Sequence, residues 1–349
     1  MRALVAMSGG VDSSVAAAVM RDAGHEVVGV TLKMWSGPNG EAPTAGCCTV
    51  SDAEDARRVA GQLDIPYYVL DYTSEFRHGV VERFISDYLS GRTPNPCIEC
   101  NRTVKFDRLL RRLDHFESDI LVTGHHARSR YDGKHWSLHR GADRAKDQSY
   151  VLSMLTQREL ARARFPVGEL TKPEVRSMAS AMGLRTAHKT ESMDICFVGR
   201  RDYRSFLAGL APDAFVPGPM VDTRGHELGA HDGIAGFTVG QRRGLGVAVG
   251  EPRFVVRIEP ATSTVVLGRR DELGVDGVEL AQVVWTSGEG GSGEVMAQYR
   301  AHGDPVPAVI EGDRLLFADL QEAVAPGQTV AFYHGDRVLG GALIARTLL

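Results

Sequence analysis

Hydrophobic residues in the first half of the chain form short continuous runs separated by helical patterns. The run at 3–7 has the length of a buried strand, and the alanine-rich stretch after Ser14 predicts a helix ending before Gly24, a suitable residue just beyond a helix terminus. Further strands are predicted at 25–32, 67–71 and 119–124, with helices at 51–63, 76–89 and 171–182. This alternation predicts an α/β fold, with helices on both faces of a parallel sheet and ligands beyond its carboxyl edge.

Helix boundaries are indicated by capping residues and prolines. Ser51 and Glu54 form a candidate capping box for the second helix. At 91–96 two prolines lie two residues apart, so we expect no regular structure there. The next helix is expected to start at Asn101 or Thr103.

After about residue 200 the pattern changes, because helical periodicity fades and glycine becomes more frequent. Short β-type runs occur at 254–258, 264–267, 294–299, 329–333 and 338–344. Short strands separated by turn residues are typical of small barrels or sandwiches. We therefore expect three domains: 1–200 with the parallel sheet, 201–273 as a small, mostly β central domain, and 274–349 as a C-terminal β-barrel.

The first predicted strand and helix are joined by Ser8-Gly9-Gly10-Val11-Asp12-Ser13. Glycines let backbone N–H groups approach a ligand, and a helix N-terminus after a strand favours an anion. No lysine follows the glycines, so the Walker phosphate loop is excluded. The hexapeptide resembles the PP-loop of ATP pyrophosphatases, which split ATP between the α- and β-phosphates. The plainer interpretation is an ordinary glycine turn.

Composition is that of a globular protein: of 349 residues, 43% are hydrophobic and 24% are charged, with a net charge of −4. Because the sequence has neither a membrane-length apolar run nor a signal-peptide pattern, we expect a cytoplasmic protein without a membrane partner. The segments 101–112 and 128–146 are rich in Lys and Arg. They could bind a phosphate backbone or form a solvated helix face.

The five cysteines are too few for a disulfide scaffold. Cys97 and Cys100 form a C-x-x-C pair near Arg102 and Lys105, a setting that favours thiolate, and Cys196 is a third candidate. These three could bind a four-iron cluster or act as persulfide and resolving thiols. A structural zinc site would need a fourth ligand. The pair at 47–48 is interpreted as buried thiols.

Several ordered motifs together resemble the bacterial tRNA-specific 2-thiouridylases, a family of PP-loop tRNA sulfurtransferases. The motifs lie at 8–14, 47–48, 93–101, 123–125, 146–150, 194–197, 237–246 and 326–328, with the Gly340-Gly341 pair near the end. They span most of the chain and are far more specific than the PP-loop alone. The resemblance implies ATP-dependent 2-thiolation of the wobble uridine of tRNA.

The same resemblance implies functional residues. ATP with Mg²⁺ would bind Ala6, Met7, Ser8, Gly9, Gly10, Val11, Asp12, Ser13, Leu32 and Gly124. Contacts with tRNA would come from Asn95, Pro96, Cys97, His125, Lys146, Asp147, Gln148 and Gln328. Base O2 would be adenylated, and Cys196 would then carry a persulfide that Cys100 attacks. The sulfur would come from a cysteine desulfurase or a sulfur-relay protein.

One position departs from part of the family, because some members have Asp where this chain has Cys97. The three cysteines then form a possible ligand set for a [4Fe-4S] cluster, which would replace the persulfide route. Two rival functions are another PP-loop adenylating ligase and an RNA-binding protein that has lost catalysis.

Overall fold

The computed structural model describes residues 1–37, 49–190, 195–199 and 202–349. The predictions made for Cys47, Cys48 and Asp194 therefore lie outside the described residues. The first seven strands are β1 (Arg2–Ala6), β2 (Glu26–Lys33), β3 (Tyr67–Asp71), β4 (Ile120–Thr123), β5 (Ala127–Tyr131), β6 (Trp136–Arg140) and β7 (Ala163–Arg164).

A five-stranded parallel sheet in the order β3-β2-β1-β4-β7 forms the first part of the molecule. Ala3 and Val5 of β1 face one hydrophobic core and Leu4 faces another, so this strand is buried on both sides. The predicted α/β class is confirmed. Strand β7 was missed, because two residues are too few to show a pattern.

Helices cover both faces of this sheet, as predicted. The α-helices are α1 (Val11–Asp22), α2 (Val50–Gln62), α3 (Thr73–Phe76), α4 (Glu82–Leu89), α5 (Pro96–Glu99), α6 (Gln157–Arg162), α7 (Lys172–Ala181) and α8 (Tyr203–Leu210). Two π-helical segments, Arg77–Val81 and Cys100–Arg108, continue α3 and α5 without a break. Helices α1, α2 and α7 pack on one face of the sheet, and α4 and Cys100–Arg108 on the other.

Two predicted helix starts are wrong. The capping box of α2 consists of Thr49 and Asp52 rather than Ser51 and Glu54. The helix expected from Asn101 or Thr103 begins at Pro96, where the Asn95 side chain accepts hydrogen bonds from two N–H groups of the first turn. Proline is well tolerated at the first helical position, so Pro96 opens this helix. Cys97 and Cys100 consequently lie within a helix and not on a turn.

The remainder of the chain is mainly β-structure. Its strands are β8 (Gly218–Asp222), β9 (Glu227–His231), β10 (Phe254–Glu259), β11 (Thr264–Gly268), β12 (Gly274–Trp285), β13 (Gly293–Gln298), β14 (Val306–Glu311), β15 (Arg314–Glu322), β16 (Thr329–His334) and β17 (Arg337–Leu348). Strands β10-β11-β8-β9 form a small central sheet. The order β12-β15-β14-β13-β16-β17 closes on itself through β12 and β17, so the predicted C-terminal barrel is confirmed.

The barrel is attached to the first part of the chain by an unpredicted hairpin. Strands β5 and β6 pair with each other, and β6 adds to β17 of the barrel. The buried Tyr150 hydroxyl donates to the Thr329 carbonyl at 2.7 Å, and the Thr93 N–H donates to the Pro326 carbonyl at 2.8 Å. The barrel therefore braces the chain just before Asn95. Among the described residues, no helix has the length and apolar character needed to cross a membrane.

Replacing Tyr150 with Phe removes the donor for the buried Thr329 carbonyl. We expect the apparent free energy of unfolding to fall by about 1–3 kcal/mol, because a buried acceptor is left unpaired. The matched control is Tyr131→Phe, since Tyr131 is exposed and its hydroxyl donates to the nearby Gly133 carbonyl. Urea unfolding of both variants tests this expectation, and equal losses would contradict it.

Candidate functional site

The PP-loop connects β1 to α1 at the carboxyl edge of the parallel sheet. Gly9 has a φ of +72°, and a Cβ there would lie 2.1 Å from the Asp52 carbonyl oxygen. A Cβ on Gly124, which follows β4, would lie 2.5 Å from the Ser13 nitrogen. Only glycine fits at either position, so the backbone at Asp52 and at Gly124 can pack closely against the loop. The Ser13 hydroxyl accepts from the Ser8 N–H and fixes the turn.

A cleft with a volume of about 280 Å³ opens at this loop. Every predicted ATP-binding residue except Gly9 lines it: Ala6, Met7, Ser8, Gly10, Val11, Asp12, Ser13, Leu32 and Gly124. Two residues predicted to contact tRNA, His125 and Gln148, line it as well. The structure therefore brings together, in one cavity, side chains that lie more than a hundred positions apart in the sequence.

The Asp12 carboxylate in this cleft accepts hydrogen bonds from two basic side chains. Lys172 Nζ donates to its two carboxylate oxygens at 2.8 and 2.7 Å, and His126 Nε2 donates to Oδ1 at 3.1 Å. Burial alone would raise the pKa of Asp12, but the hydrogen bonds from His126 and Lys172 and the charge of Lys172 hold this pKa below its ordinary value. Asp12 is therefore a carboxylate at neutral pH.

A second lysine holds the other side of the loop. Lys189 Nζ donates to the Gly9 carbonyl at 3.0 Å and to carboxylate oxygens of Asp52 and Asp55, both at 2.7 Å. Burial lowers the pKa of Lys189, but the two carboxylates outweigh this effect and raise it. Lys172 and Lys189 thus place two cations beside the loop.

Sequence reasoning missed both lysines and His126. Lys172 lies in a stretch that was interpreted only as a helix start, and Lys189 lies in no recognisable motif. His126 was seen only as the neighbour of His125. These residues are identified only by their contacts in the folded protein, such as the one between the starts of α1 and α7.

His125 is buried against the cleft, with its Nδ1 2.6 Å from the Thr123 hydroxyl. Burial, with further contributions from the charges of Lys105 and His126, lowers the pKa of His125 well below its ordinary value. The imidazole is therefore neutral at physiological pH, and it contributes shape and hydrogen bonding to the cleft rather than charge.

The three candidate cysteines lie at different depths, and Cys100 lies beside the cleft. Cys97 is exposed, Cys196 is partly buried, and Cys100 is 7% exposed. The Cys100 Sγ lies 3.7 Å from the sulfur of Met34, which lines the cleft. The ring of Trp35, the next residue, lies 6.1 Å from that of Phe197, the neighbour of Cys196. The chain after β2 therefore borders both Cys100 and the Cys196 segment.

We tested whether the three cysteines fit a metal cluster. Within the described ranges, no three His, Cys, Asp or Glu side chains converge in an arrangement that could hold a metal ion. Cys97, Cys100 and Cys196 therefore do not fit a [4Fe-4S] cluster in this conformation.

The other residues predicted to contact tRNA occupy two places. Asn95 caps the helix that carries Pro96 and Cys97, and the Gln328 side chain donates to the Thr93 carbonyl at 2.9 Å. Gln328 therefore lies next to the Asn95 segment. Lys146, Asp147 and Gln148 are consecutive, and Gln148 lines the cleft. Asp147 accepts from the Gly141 and Ser149 N–H groups at 3.0 Å each, which fixes the turn.

Many of the arginines in the two basic segments are paired with acids. Arg128 and Arg144 both bind Asp336 of the barrel, and Arg140 lies over the Tyr333 ring at 4.2 Å. The segment at 128–146 is thus not a helix face, and part of its charge joins this region to the barrel. Within 101–112, Arg102 binds Glu99, and Arg111 and Arg108 bind Asp107.

Comparison with known proteins matches this architecture along the whole chain. Residues 1–200 match the family described as tRNA methyl transferase HUP domain, 204–269 its PRC-barrel domain, and 275–344 an aminomethyltransferase beta-barrel domain. The tRNA-specific 2-thiouridylase MnmA of Roseiflexus sp. strain RS-1 is 47% identical, covering 98% of this chain and 99% of that protein. The MnmA of Acidothermus cellulolyticus is 49% identical, covering 99% and 98%. The chain belongs to the tRNA-specific 2-thiouridylase family.

Membership of the thiouridylase family confirms the resemblance inferred from the motifs. The family match does not identify individual site residues, so the roles assigned to Cys100, Cys196 and the ATP and tRNA contacts stay predictions. The same is true of the domain boundaries near 200 and 273.

Replacing Lys172 with Met should change how stability depends on pH. In the native protein the pKa of Asp12 is lowered, so its stabilising contribution is complete above about pH 4 and is lost only as the pH falls through the lowered value. Without Lys172, burial moves the pKa of Asp12 upward. The folded state then loses stability as the pH rises from the ordinary aspartate pKa through this raised value, because the buried Asp12 has to ionise without its cation.

The expected loss in free energy of unfolding is about 1–3 kcal/mol at neutral pH and smaller toward pH 4. The control is Lys134→Met on the exposed turn between β5 and β6, which should follow the unsubstituted protein at every pH. Denaturant unfolding over this pH range gives the comparison. A loss that does not vary with pH would show that Asp12 does not depend on Lys172.

Proposed function

We propose that this protein is an ATP-dependent sulfurtransferase that converts the wobble uridine of tRNA to 2-thiouridine. The observation that carries the proposal is the shared border of two sites. Met34 lines the PP-loop cleft and its sulfur contacts the Cys100 Sγ at 3.7 Å. A base activated by ATP in this cleft would therefore lie beside the Cys100 thiol, which can release sulfur from a persulfide.

In the first step, O2 of the uridine attacks the α-phosphorus of ATP and pyrophosphate leaves. The N–H groups of the PP-loop and the start of α1 favour the phosphates, while Lys172 and Lys189 add positive charge where the transition state gains negative charge. Adenine would lie between Leu32 and Gly124. The pocket carboxylates Asp12 and Asp52 are paired with lysines, so we assign no protein ligand to Mg²⁺, which would arrive with ATP.

In the second step, sulfur passes from a persulfide on Cys196 to C2 of the adenylated base. The Cys100 thiolate attacks the Cys196 sulfur, forms a Cys100–Cys196 disulfide and releases hydrosulfide. Hydrosulfide attacks C2, and AMP leaves with the oxygen that was O2. Each turnover therefore consumes one ATP and one persulfide sulfur and leaves one disulfide to be reduced. The persulfide would be loaded by a cysteine desulfurase or a sulfur-relay protein.

The base must leave its stack to reach this cleft, as unpaired loop bases can. Asn95, Pro96 and Cys97 would contact the displaced base. They lie at the start of one helix, and Gln328 holds the chain just before them through the Thr93 carbonyl. His125, Lys146, Asp147 and Gln148 would also contact tRNA.

Methyl transfer, the reaction in the description of the family that matches residues 1–200, is the second candidate function. A methyltransferase has no use for a PP-loop beside a buried thiol, whereas ATP-dependent thiolation uses both. A different PP-loop ligase would need no cysteine, so its activity should survive Cys100→Ser.

The two steps can be separated by substitution. Asp12→Ala should reduce tRNA-dependent pyrophosphate release by at least about a hundredfold, because the Asp12 carboxylate holds the Lys172 ammonium in place at the phosphate site. The matched control is Asp22→Ala at the exposed end of the same helix, which should retain full release. Full release by the Asp12 variant would remove the PP-loop assignment.

Cys100→Ser and Cys196→Ser should abolish 2-thiouridine formation while pyrophosphate release continues, since neither thiol is needed for adenylation. Liquid chromatography of digested tRNA measures the thiolated base, and a coupled phosphate assay measures release. Iron and acid-labile sulfide are determined on the same anaerobic sample. Activity that follows the iron content would replace the persulfide route with the cluster route.

A further inference from the structure

The proposed reaction ends with an oxidised Cys100, and the structure makes that residue hard to reach. Cys100 is 7% exposed and packs against Met34, while Cys196 is partly buried beside Phe197. A protein reductant must bring its own thiolate onto a disulfide sulfur, so the rate of reduction depends on access. A disulfide between these two residues would be poorly accessible to such a reductant.

Cys97 is exposed and lies three residues before Cys100 on one helical stretch. Pro96–Glu99 continues directly into Cys100–Arg108. Residues three apart on a helix have Cβ atoms about 5–6 Å apart, whereas a disulfide needs a Cβ separation of about 3.5–4.5 Å. Cys97 and Cys100 can therefore form a disulfide once the first turn of the helix adjusts to bring their Cβ atoms about 1–2 Å closer.

The surroundings of Cys97 suit it to attack a disulfide. It lies in the first turn of the helix, where its N–H and that of Ile98 donate to the Asn95 side chain at 3.2 and 3.3 Å. Thiols at such a position in a C-x-x-C pair favour the thiolate, which is the attacking species. The Thr93 carbonyl is bound by Gln328, so the chain leading into the helix is held in place.

We propose that Cys97 is the resolving thiol of this enzyme, which moves the disulfide from the buried pair to the surface after each turnover. This proposal rests on the persulfide route of the proposed function. The Cys97 thiolate attacks the Cys100 sulfur of the Cys100–Cys196 disulfide. That S–S bond breaks, Cys196 leaves as a thiolate, and a Cys97–Cys100 disulfide forms without net oxidation.

A dithiol protein of the thioredoxin class then attacks the exposed Cys97 sulfur. It supplies two electrons, becomes a disulfide itself, and returns Cys97 and Cys100 to thiols. Because Cys97 is also predicted to lie against the target base, this exchange would follow release of the tRNA. Cys196 is regenerated in the exchange itself and can accept the next persulfide sulfur while Cys100 is still oxidised.

The test compares the full-length protein with Cys97→Ser in thiolation assays with a persulfide donor in continuous supply. Each variant is assayed with a thioredoxin-class protein and, separately, with a small-molecule dithiol. Each steady-state rate is divided by the first-turnover rate of the same variant, so that any effect of the Cys97→Ser substitution on base binding cancels. Peptide mass spectrometry after one turnover without reductant identifies the disulfide.

We expect Cys97→Ser to lower the normalised rate with the protein reductant by at least about tenfold, while the small dithiol restores it, because only the access of the reductant has changed. The unsubstituted protein should yield the Cys97–Cys100 disulfide, and the variant Cys100–Cys196. Cys97 is not the resolving thiol if the unsubstituted protein retains the Cys100–Cys196 disulfide. The same follows if Cys97→Ser and the unsubstituted protein have equal normalised rates with the protein reductant.

A separate result identifies failure of the underlying function. If Cys100→Ser or Cys196→Ser still completes a first turnover, the persulfide route is wrong and the role of Cys97 is overturned with it. If both variants lose the first turnover, and Cys97→Ser has the same normalised rate as the unsubstituted protein with each reductant, only the role of Cys97 is overturned.

Discussion

The ion pair between Asp12 and Lys172 joins the segments from which the site is built. Asp12 belongs to the first turn of α1 and Lys172 to the first residue of α7, while His126 follows β4. These side chains can meet only when α7 packs beside α1 and β4 lies next to β1. A lysine and a carboxylate so enclosed stabilise the fold only while both are present, because either one alone would be an unpaired charge. Folding and the proposed phosphate chemistry therefore depend on the same contact.

The barrel contributes to the site indirectly. It contacts the first part of the chain through β17, Thr329 and Pro326, and Gln328 holds the segment that enters the cysteine helix. A Cβ on Gly327 would lie 2.8 Å from the Thr93 nitrogen, so this contact needs glycine. The position of Asn95 and Cys97 is thus set by a domain that begins more than 170 residues later in the sequence. The barrel and the cleft behave as one unit at this point.

Sequence patterns predicted the parallel sheet, the PP-loop and the closed barrel because each leaves a local signal. The apolar run of β1 reflects burial on two faces, and the glycines of the loop reflect contacts that admit no Cβ. The start of the cysteine helix was placed too late, because the prolines were interpreted only as helix breakers. Strands β5 and β6 were missed, since their arginines suggested solvent or RNA, whereas Arg128 of β5 pairs with Asp336 of the barrel and Arg140 of β6 lies over the Tyr333 ring. Such pairing depends on tertiary contacts and leaves no local pattern.

The correction to the cysteine helix also changes the chemistry. On a turn, the spacing of Cys97 and Cys100 would not have fixed their relative direction, but on a helix it places them on the same face, one turn apart. The same geometry separates them in depth, since Cys97 is exposed and Cys100 is buried. A carboxylate at position 97, as in some family members, could take part in proton transfer but could not accept a disulfide. The proposed role of the cysteine found here is thiol–disulfide exchange at an exposed position one helical turn from Cys100.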